Sequence, residues 1–238
     1  MLACWLRWCN LAAMKQHLSL LAILFVAAFA APARATTETP EAWLRGFVDA
    51  HATPAPRCAK PGACTDEEDA ARREVDEVRS AAVGAALDVA LEPGEAPLYS
   101  TEGGRATTAL ELLAIATHET GLQPRLWHGV CRPRECDGGR ATGELQLHLG
   151  PYGVQLVGDK WVRPCTGLGL GGDRGCLGPK DVLEDHAAAF RIALHILRGG
   201  GLPGYMGQPA SGPAPTWVRN VMAEWLAGHP APAMSDVD

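Results

Sequence analysis

Apolar residues recur at helical spacing in five stretches of this chain, and the connections between them are irregular. Pro40 to Ala50 brings Trp43, Leu44 and Phe47 together, which predicts a short helix. A Pro-rich loop carrying Cys58 and Cys64 follows. Thr65-Asp66-Glu67-Glu68 then has the form of a capping box, in which Thr65 and Glu68 satisfy each other's backbone donors. The helix it opens is expected to reach about Leu91, with Val75, Val78, Ala82 and Leu87 on one side, before Pro93-Gly94 ends it. Thr108-Ala109-Leu110-Glu111 has the same capping form, and Gly121 is a natural C-terminal stop. Within that third helix Leu112, Ile115, Ala116 and Glu119 stand at i, i+3, i+4 and i+7, so they share a face. Asp181 to Arg198 lines up Leu183, Ala187, Phe190, Leu194 and Leu197, and Gly199-Gly200-Gly201 is its expected stop. Thr216 to Ala227 groups Val218, Val221, Met222 and Trp225 and ends at Gly228.

Between Leu122 and Pro179 no helical period holds. Gly143 to Leu149 and Val154 to Val162 alternate weakly, which predicts one or two short strands. The pattern therefore describes an α+β chain that is mainly helical, with a small irregular or β lobe set between helices. So long an irregular stretch inside a small domain needs bracing.

The first residues follow different rules. From Met14 the chain reads Met-Lys-Gln-His, then an apolar run from Leu18 to Ala30, then Ala31-Pro-Ala33-Arg-Ala35. A positive start, a short apolar core and a small-residue site make a secretory signal peptide. Cleavage is expected after Ala35, with Ala33 as the second choice, and Met14 is a candidate true start. The run is short for a stable membrane anchor, which is the alternative reading. The organisation expected is a leader over 1–35, a helical extension over 36–105, a main domain over 106–228 and a loose tail over 229–238. A periplasmic or secreted protein follows.

Composition then narrows the partners. The chain has a net charge of −6, and losing Arg7, Lys15 and Arg34 with the leader takes it to −9. That excludes a nucleic-acid partner, which wants a basic face. Cys4 and Cys9 also leave, so six of the 8 cysteines remain. They fall in close couples: Cys58 with Cys64, Cys131 with Cys136, and Cys165 with Cys176. In an oxidising compartment such couples read as disulfides. The rival is a zinc site from Cys131, Cys136, His128 and His148, though no pair has the Cys-x-x-Cys spacing typical of thiolate sites. No motif for a nucleotide, a zincin metal or a serine nucleophile is present, and no cofactor is expected.

Glu119 is the residue whose position is chemically loaded. It sits on an apolar face in the last turn of its helix, so burial and the helix dipole both disfavour its charge. A carboxylic acid still protonated near neutral pH is what glycosidic cleavage needs. The segment Leu112-Leu-Ala-Ile-Ala-Thr-His-Glu119-Thr-Gly-Leu-Gln-Pro124 resembles the helix-end motif of lytic transglycosylases and goose-type lysozymes. Ala141-Thr-Gly143-Glu-Leu-Gln146-Leu resembles the Gly-Leu-Met-Gln segment of that family. Ala187 to Arg198 resembles its next helix, and Gly204-Tyr205-Met-Gly207 its tyrosine loop. The likeness spans about Thr108 to Trp225.

The resemblance implies a lysozyme-like domain that cleaves the β-1,4 bond between the aminosugars of peptidoglycan, with glycan strands as its partner. It implies Glu119 as catalytic acid, Gln146 as the glutamine lining the cleft, and Tyr205 as the tyrosine that orients acid or substrate. Thr120, Leu122 and Glu144 depart from the family's usual Ser, aromatic and Leu. Ring closure by the substrate's own 6-hydroxyl needs only one Glu, as the family pattern implies. A hydrolytic muramidase needs a second carboxylate, for which Glu144, Asp137 and Glu135 are candidates. If Gly143 to Gln146 is extended, Glu144 points the same way as Gln146 and joins the substrate-binding residues. A non-catalytic glycan-binding protein of the same fold is the further alternative.

Overall fold

The computed structural model describes residues 38–59, 63–149, 154–157, 160–162 and 176–234. The expected leader, Cys165 and the last four residues of the expected tail lie outside them. Among the described residues the chain is mostly helical, with little strand.

Helix α1 (Pro40–His51) starts on Thr39, whose hydroxyl accepts the Ala42 N–H at 3.2 Å. Its apolar face, Trp43, Leu44, Phe47 and Val48, is buried throughout. Helix α2 (Asp66–Leu91) opens on the expected capping box: Glu68 N–H donates to Thr65 Oγ1 at 3.2 Å, and Thr65 N–H to Glu68 Oε2 at 2.8 Å. The other Glu68 oxygen accepts from Ala59 N–H at 2.8 Å, tying the Cys58–Cys64 loop to the helix start. These backbone donors hold the Glu68 carboxyl below the usual range.

Helix α3 (Gly104–Thr120) is the axis of the fold. The expected capping box at Thr108 does not form, because the helix begins a turn earlier, after Gly103 in the left-handed conformation. Thr108 is instead interior: its hydroxyl donates to Gly104 O at 2.8 Å and accepts from Leu98 N–H at 2.9 Å. Glu111 accepts from the Tyr99 hydroxyl at 2.7 Å rather than reaching back to a cap. The amphipathic face also proves too narrow a description. Leu110, Leu112, Leu113, Ile115 and Ala116 are all fully buried, as a helix surrounded by neighbours requires. Helices α1 and α2 pack on it from the N-terminal half, and the two long C-terminal helices from the other. Each such leucine contributes about 1.5–3 kcal/mol of burial.

After α3 come the short helix α4 (Pro124–Trp127) and the single turn α5 (Cys136–Gly139), in which Asp137 and Gly138 take left-handed angles. Strands β1 (Val154–Val157), β2 (Lys160–Val162) and β3 (Cys176–Leu177) form an antiparallel sheet in the order β2-β1-β3. Leu156 is paired with Trp161, and Val154 with Leu177. The strand expected within Gly143–Leu149 is a tight turn, closed by a lone bridge between Thr142 and Leu147.

The helix expected over Asp181–Arg198 divides at Asp185, whose carboxylate caps a new helix by accepting Ala188 N–H at 3.0 Å. The pieces are α6 (Pro179–Glu184) and α7 (His186–Met206). The glycine triplet kinks α7 rather than stopping it: Gly201 breaks the helical angles at φ 59°, and the chain resumes helix through Tyr205. Last, α8 (Pro213–Gly228) begins on its proline and buries Val218, Val221 and Met222. Its Trp225 packs edge-on against Phe47, 5.8 Å between ring centroids, which joins α8 to α1.

Among the described residues two disulfides close between Cys58 and Cys64 and between Cys131 and Cys136, with Cα atoms 4.8 and 6.0 Å apart. The second removes both thiolates from the zinc site considered above. Cys176 is fully buried in β3, and its expected partner lies outside the described residues. Among the described residues no helix is long and apolar enough to cross a membrane.

Candidate active site

The last turn of α3 is where a buried helix reaches the surface, and Glu119 stands there half-buried. Gly121 ends the helix in the left-handed conformation, φ 61°, and returns its N–H to Thr117 O at 2.9 Å. A Cβ at this position would lie 2.0 Å from Thr53 Oγ1, so only glycine lets the loop after α1 seat here. Thr53 N–H donates to Gly121 O at 3.0 Å. That tie fixes the end of α3, and with it the direction of Glu119.

Burial raises the Glu119 carboxyl from 4.5 to about 7, and the nearby charge of Asp137 pushes it the same way. The acid therefore keeps its proton in a substantial fraction of molecules, about half, at neutral pH. This is the property required of a proton donor to a leaving oxygen.

Glu119 lines one of two neighbouring hollows. One, about 450 Å³, is lined by Thr117, His118, Glu119, Arg125 and Gln146 among others. The other, about 480 Å³, is lined by Tyr205, Asp137, Leu149, Ile192 and Gln146 among others. Gln146 borders both. Each lies within the size range of ligand sites. Of the three residues of the resemblance, Glu119 at the end of α3 and Tyr205 at the end of α7 thus line adjacent hollows, and Gln146 on the turn after α5 borders both.

The turn from Gly143 to Gln146 joins them. Gln146 N–H and side-chain amide both donate to Gly143 O, at 3.2 and 2.8 Å. Gln146 itself is left-handed, φ 48°, an uncommon state for a residue with a side chain. Tyr205 donates its hydroxyl to Leu145 O at 2.6 Å. Its phenol is held well above its usual range by burial, and by the charges of Glu119 and Glu144. Thr120, next to the acid, shares its hydroxyl proton between Ala116 O at 3.0 Å and Glu144 O at 3.2 Å.

Glu144 is the correction. Because the segment is a turn and not a strand, side chains do not alternate, and Glu144 points inward with no exposed surface. It is not available to a substrate in this conformation. One carboxylate oxygen lies 3.2 Å from His186 Nδ1, and the other is buried without a partner. His186 in turn stacks on Trp127, 3.7 Å between centroids.

The other two candidate carboxylates separate cleanly. Glu135 is clamped by Arg125, one contact measuring 2.8 Å, and by Arg132 N–H at 2.7 Å. The Arg125 bonds and then the backbone donor hold it below the usual range. Asp137 is exposed, lines the Tyr205 hollow, and meets His148 Nε2 at 2.7 Å. It is the carboxylate whose charge reaches Glu119.

Sequence reasoning missed His186 and Trp127 altogether, since no local spacing links them to residue 144. His118, beside the acid, is half-buried against Trp217, 5.0 Å between centroids, and burial lowers its pKa. Leu122, where the family has an aromatic, is a buried core residue at 1% exposure. No protein-family model, no curated protein and no solved structure matches this chain.

Proposed function

We propose that this chain is a lysozyme-like enzyme that cleaves the glycan strands of peptidoglycan outside the cytoplasm, with Glu119 as its acid. One observation carries the reading: a carboxyl held near neutral pH by burial opens onto a hollow it shares with Gln146, which also borders the neighbouring hollow lined by Tyr205. Glu119 donates its proton to the glycosidic oxygen between the aminosugars as the bond to C1 breaks. As a carboxylate it then accepts the proton of the 6-hydroxyl, whose oxygen closes on C1 to give a 1,6-anhydro product. Gln146 borders the cleft where the strand passes from one hollow to the other, and Tyr205 holds the turn that carries Gln146. The disulfides fit an oxidising compartment, in agreement with a periplasmic or secreted enzyme.

Asp137 favours a second reading. An exposed carboxylate in the cleft, close enough to act on Glu119, suits the base of a hydrolytic muramidase, which stands about 6.5–9.5 Å from the acid if the reaction inverts. Glu144 supports no such role, being enclosed. Digestion of purified cell wall, with mass analysis of the products, tests both readings. Anhydro ends support ring closure, and reducing ends lost in Asp137→Asn support hydrolysis. No release by active-site-intact protein, with none lost in Glu119→Gln, leaves a glycan-binding protein.

A further inference from the structure

The enclosed Glu144 has no role in either reaction, and its stability cost is plain. A fully buried carboxylate with one oxygen unpartnered is destabilising, and apolar residues of similar volume are often as stable or more so. Something other than stability explains the placement. The backbone of this residue supplies the clue. Its carbonyl accepts from Thr120, the neighbour of Glu119, and the next carbonyl, of Leu145, accepts from Tyr205. The residue after that is Gln146, held in a left-handed conformation. Glu144 thus stands at the centre of the turn on which the three cleft residues converge.

Its side chain is anchored from behind. His186 Nδ1 lies 3.2 Å from the carboxylate, and the imidazole is clamped flat on Trp127, itself buried at 4% exposure. His186 is also the first residue of α7, the helix whose far end carries Tyr205. This contact ties the turn to the start of α7, and the Tyr205 hydrogen bond to Leu145 O ties it to the far end of the same helix. Hydrogen-bonded buried networks specify one arrangement where apolar packing tolerates several.

We propose that the buried Glu144 and the partly buried His186 form a positioning pair that fixes the Gly143–Gln146 turn, and so sets the placement of Gln146 and of the Tyr205 contact against Glu119. The pair acts through the turn and touches no substrate. This rests on the cleft being the site of glycan cleavage, as proposed above.

The test uses the mature full-length chain and the variants Glu144→Leu, His186→Phe, the double variant and Glu144→Gln. Leu and Phe keep the volume, and Phe keeps the stack on Trp127. Gln keeps an acceptor for His186. Amide hydrogen exchange at Thr142 and Leu147, whose N–H groups close the turn at 3.0 and 2.9 Å, reports the turn without reference to activity. In Glu144→Leu and His186→Phe these amides should exchange at least about tenfold faster, while the melting temperature holds or rises in Glu144→Leu and falls in His186→Phe, which leaves the buried carboxylate without its partner. The double variant should be no worse than either single, because the two residues act as one unit. On cell wall, kcat should fall about 10²-fold, as for misplaced catalytic geometry, with little change in KM. Glu144→Gln should recover most of both readouts.

Unchanged exchange in Glu144→Leu overturns the pair, and so does a loosened turn with unchanged kcat. A fall in melting temperature that Glu144→Gln does not recover, with the turn still protected, shows a merely structural residue. If the unmodified protein cleaves no glycan, the proposed activity fails, while the exchange data still decide whether the pair holds the turn.

Discussion

Removing the charge of Glu119 should stabilise the protein, and only in one range of pH. The carboxyl sits at about 7 in the fold against 4.5 as the ordinary value, chiefly through burial. A raised folded pKa means that the native state holds the proton more tightly than the unfolded chain does. The stabilisation from that proton is complete below about pH 4.5 and is lost as pH rises through about 7. In full, the difference would cost the ionised fold about 3 kcal/mol. Partial exposure of the side chain screens this to about 1–2 kcal/mol. Glu119→Gln keeps the shape and stays neutral, so above pH 7 it should be more stable than the parent by that amount. For a domain of this size each kcal/mol shifts the melting temperature by about 2–4 °C. Thermal melts of both proteins at pH 5 and pH 8 provide the assay, and taking differences cancels every other titrating group. The expected result is a gap at pH 8 that closes towards pH 5. A gap independent of pH, or a less stable Glu119→Gln at pH 8, would refute the burial of this carboxyl.

Asp137→Asn removes the second cause of the Glu119 shift, so the alkaline limb of the activity profile should move to lower pH; an unmoved limb would separate the two groups. Tyr205→Phe deletes the donor to Leu145 O and should cost about 0.5–1.5 kcal/mol of stability in urea melts, with a disproportionate loss of kcat. Replacing Cys131 and Cys136 by Ser opens a short loop, worth about 2 kcal/mol by chain entropy. Because Cys136 lines the Glu119 hollow, KM for cell wall should rise more than the helices loosen, as far-UV dichroism and kinetics together would show.

The helices were legible where a local rule governed them. Thr65 and Glu68 cap α2 as their spacing dictates, and Gly121 ends α3 because its left-handed conformation is required there. Thr108 and Glu111 obey the same capping pattern yet lie inside α3, since Leu98 N–H and the Tyr99 hydroxyl from the preceding loop claim their side chains. Local pattern yields to a tertiary partner that sequence spacing does not reveal. The glycines at 199–201 illustrate the same limit, for a kink at Gly201 suffices and the chain returns to helix. Gln146 lines the hollow of Glu119 and also the neighbouring one, which Tyr205 lines. Glu144 escaped this reading, because strand alternation was assumed where positive φ angles at Gly143 and Gln146 make a turn. Its partner His186 lies 42 residues away, beyond any periodicity.

Purified cell wall incubated with the unmodified protein and with Glu119→Gln, at pH 6 and with fragments identified by mass, tests the assignment of Glu119 most directly. The expected result is release of muropeptides ending in 1,6-anhydro sugars by the unmodified protein, with the rate at least about 10²-fold lower in Glu119→Gln. Equal release by both proteins, or none by either while both remain folded, would contradict it.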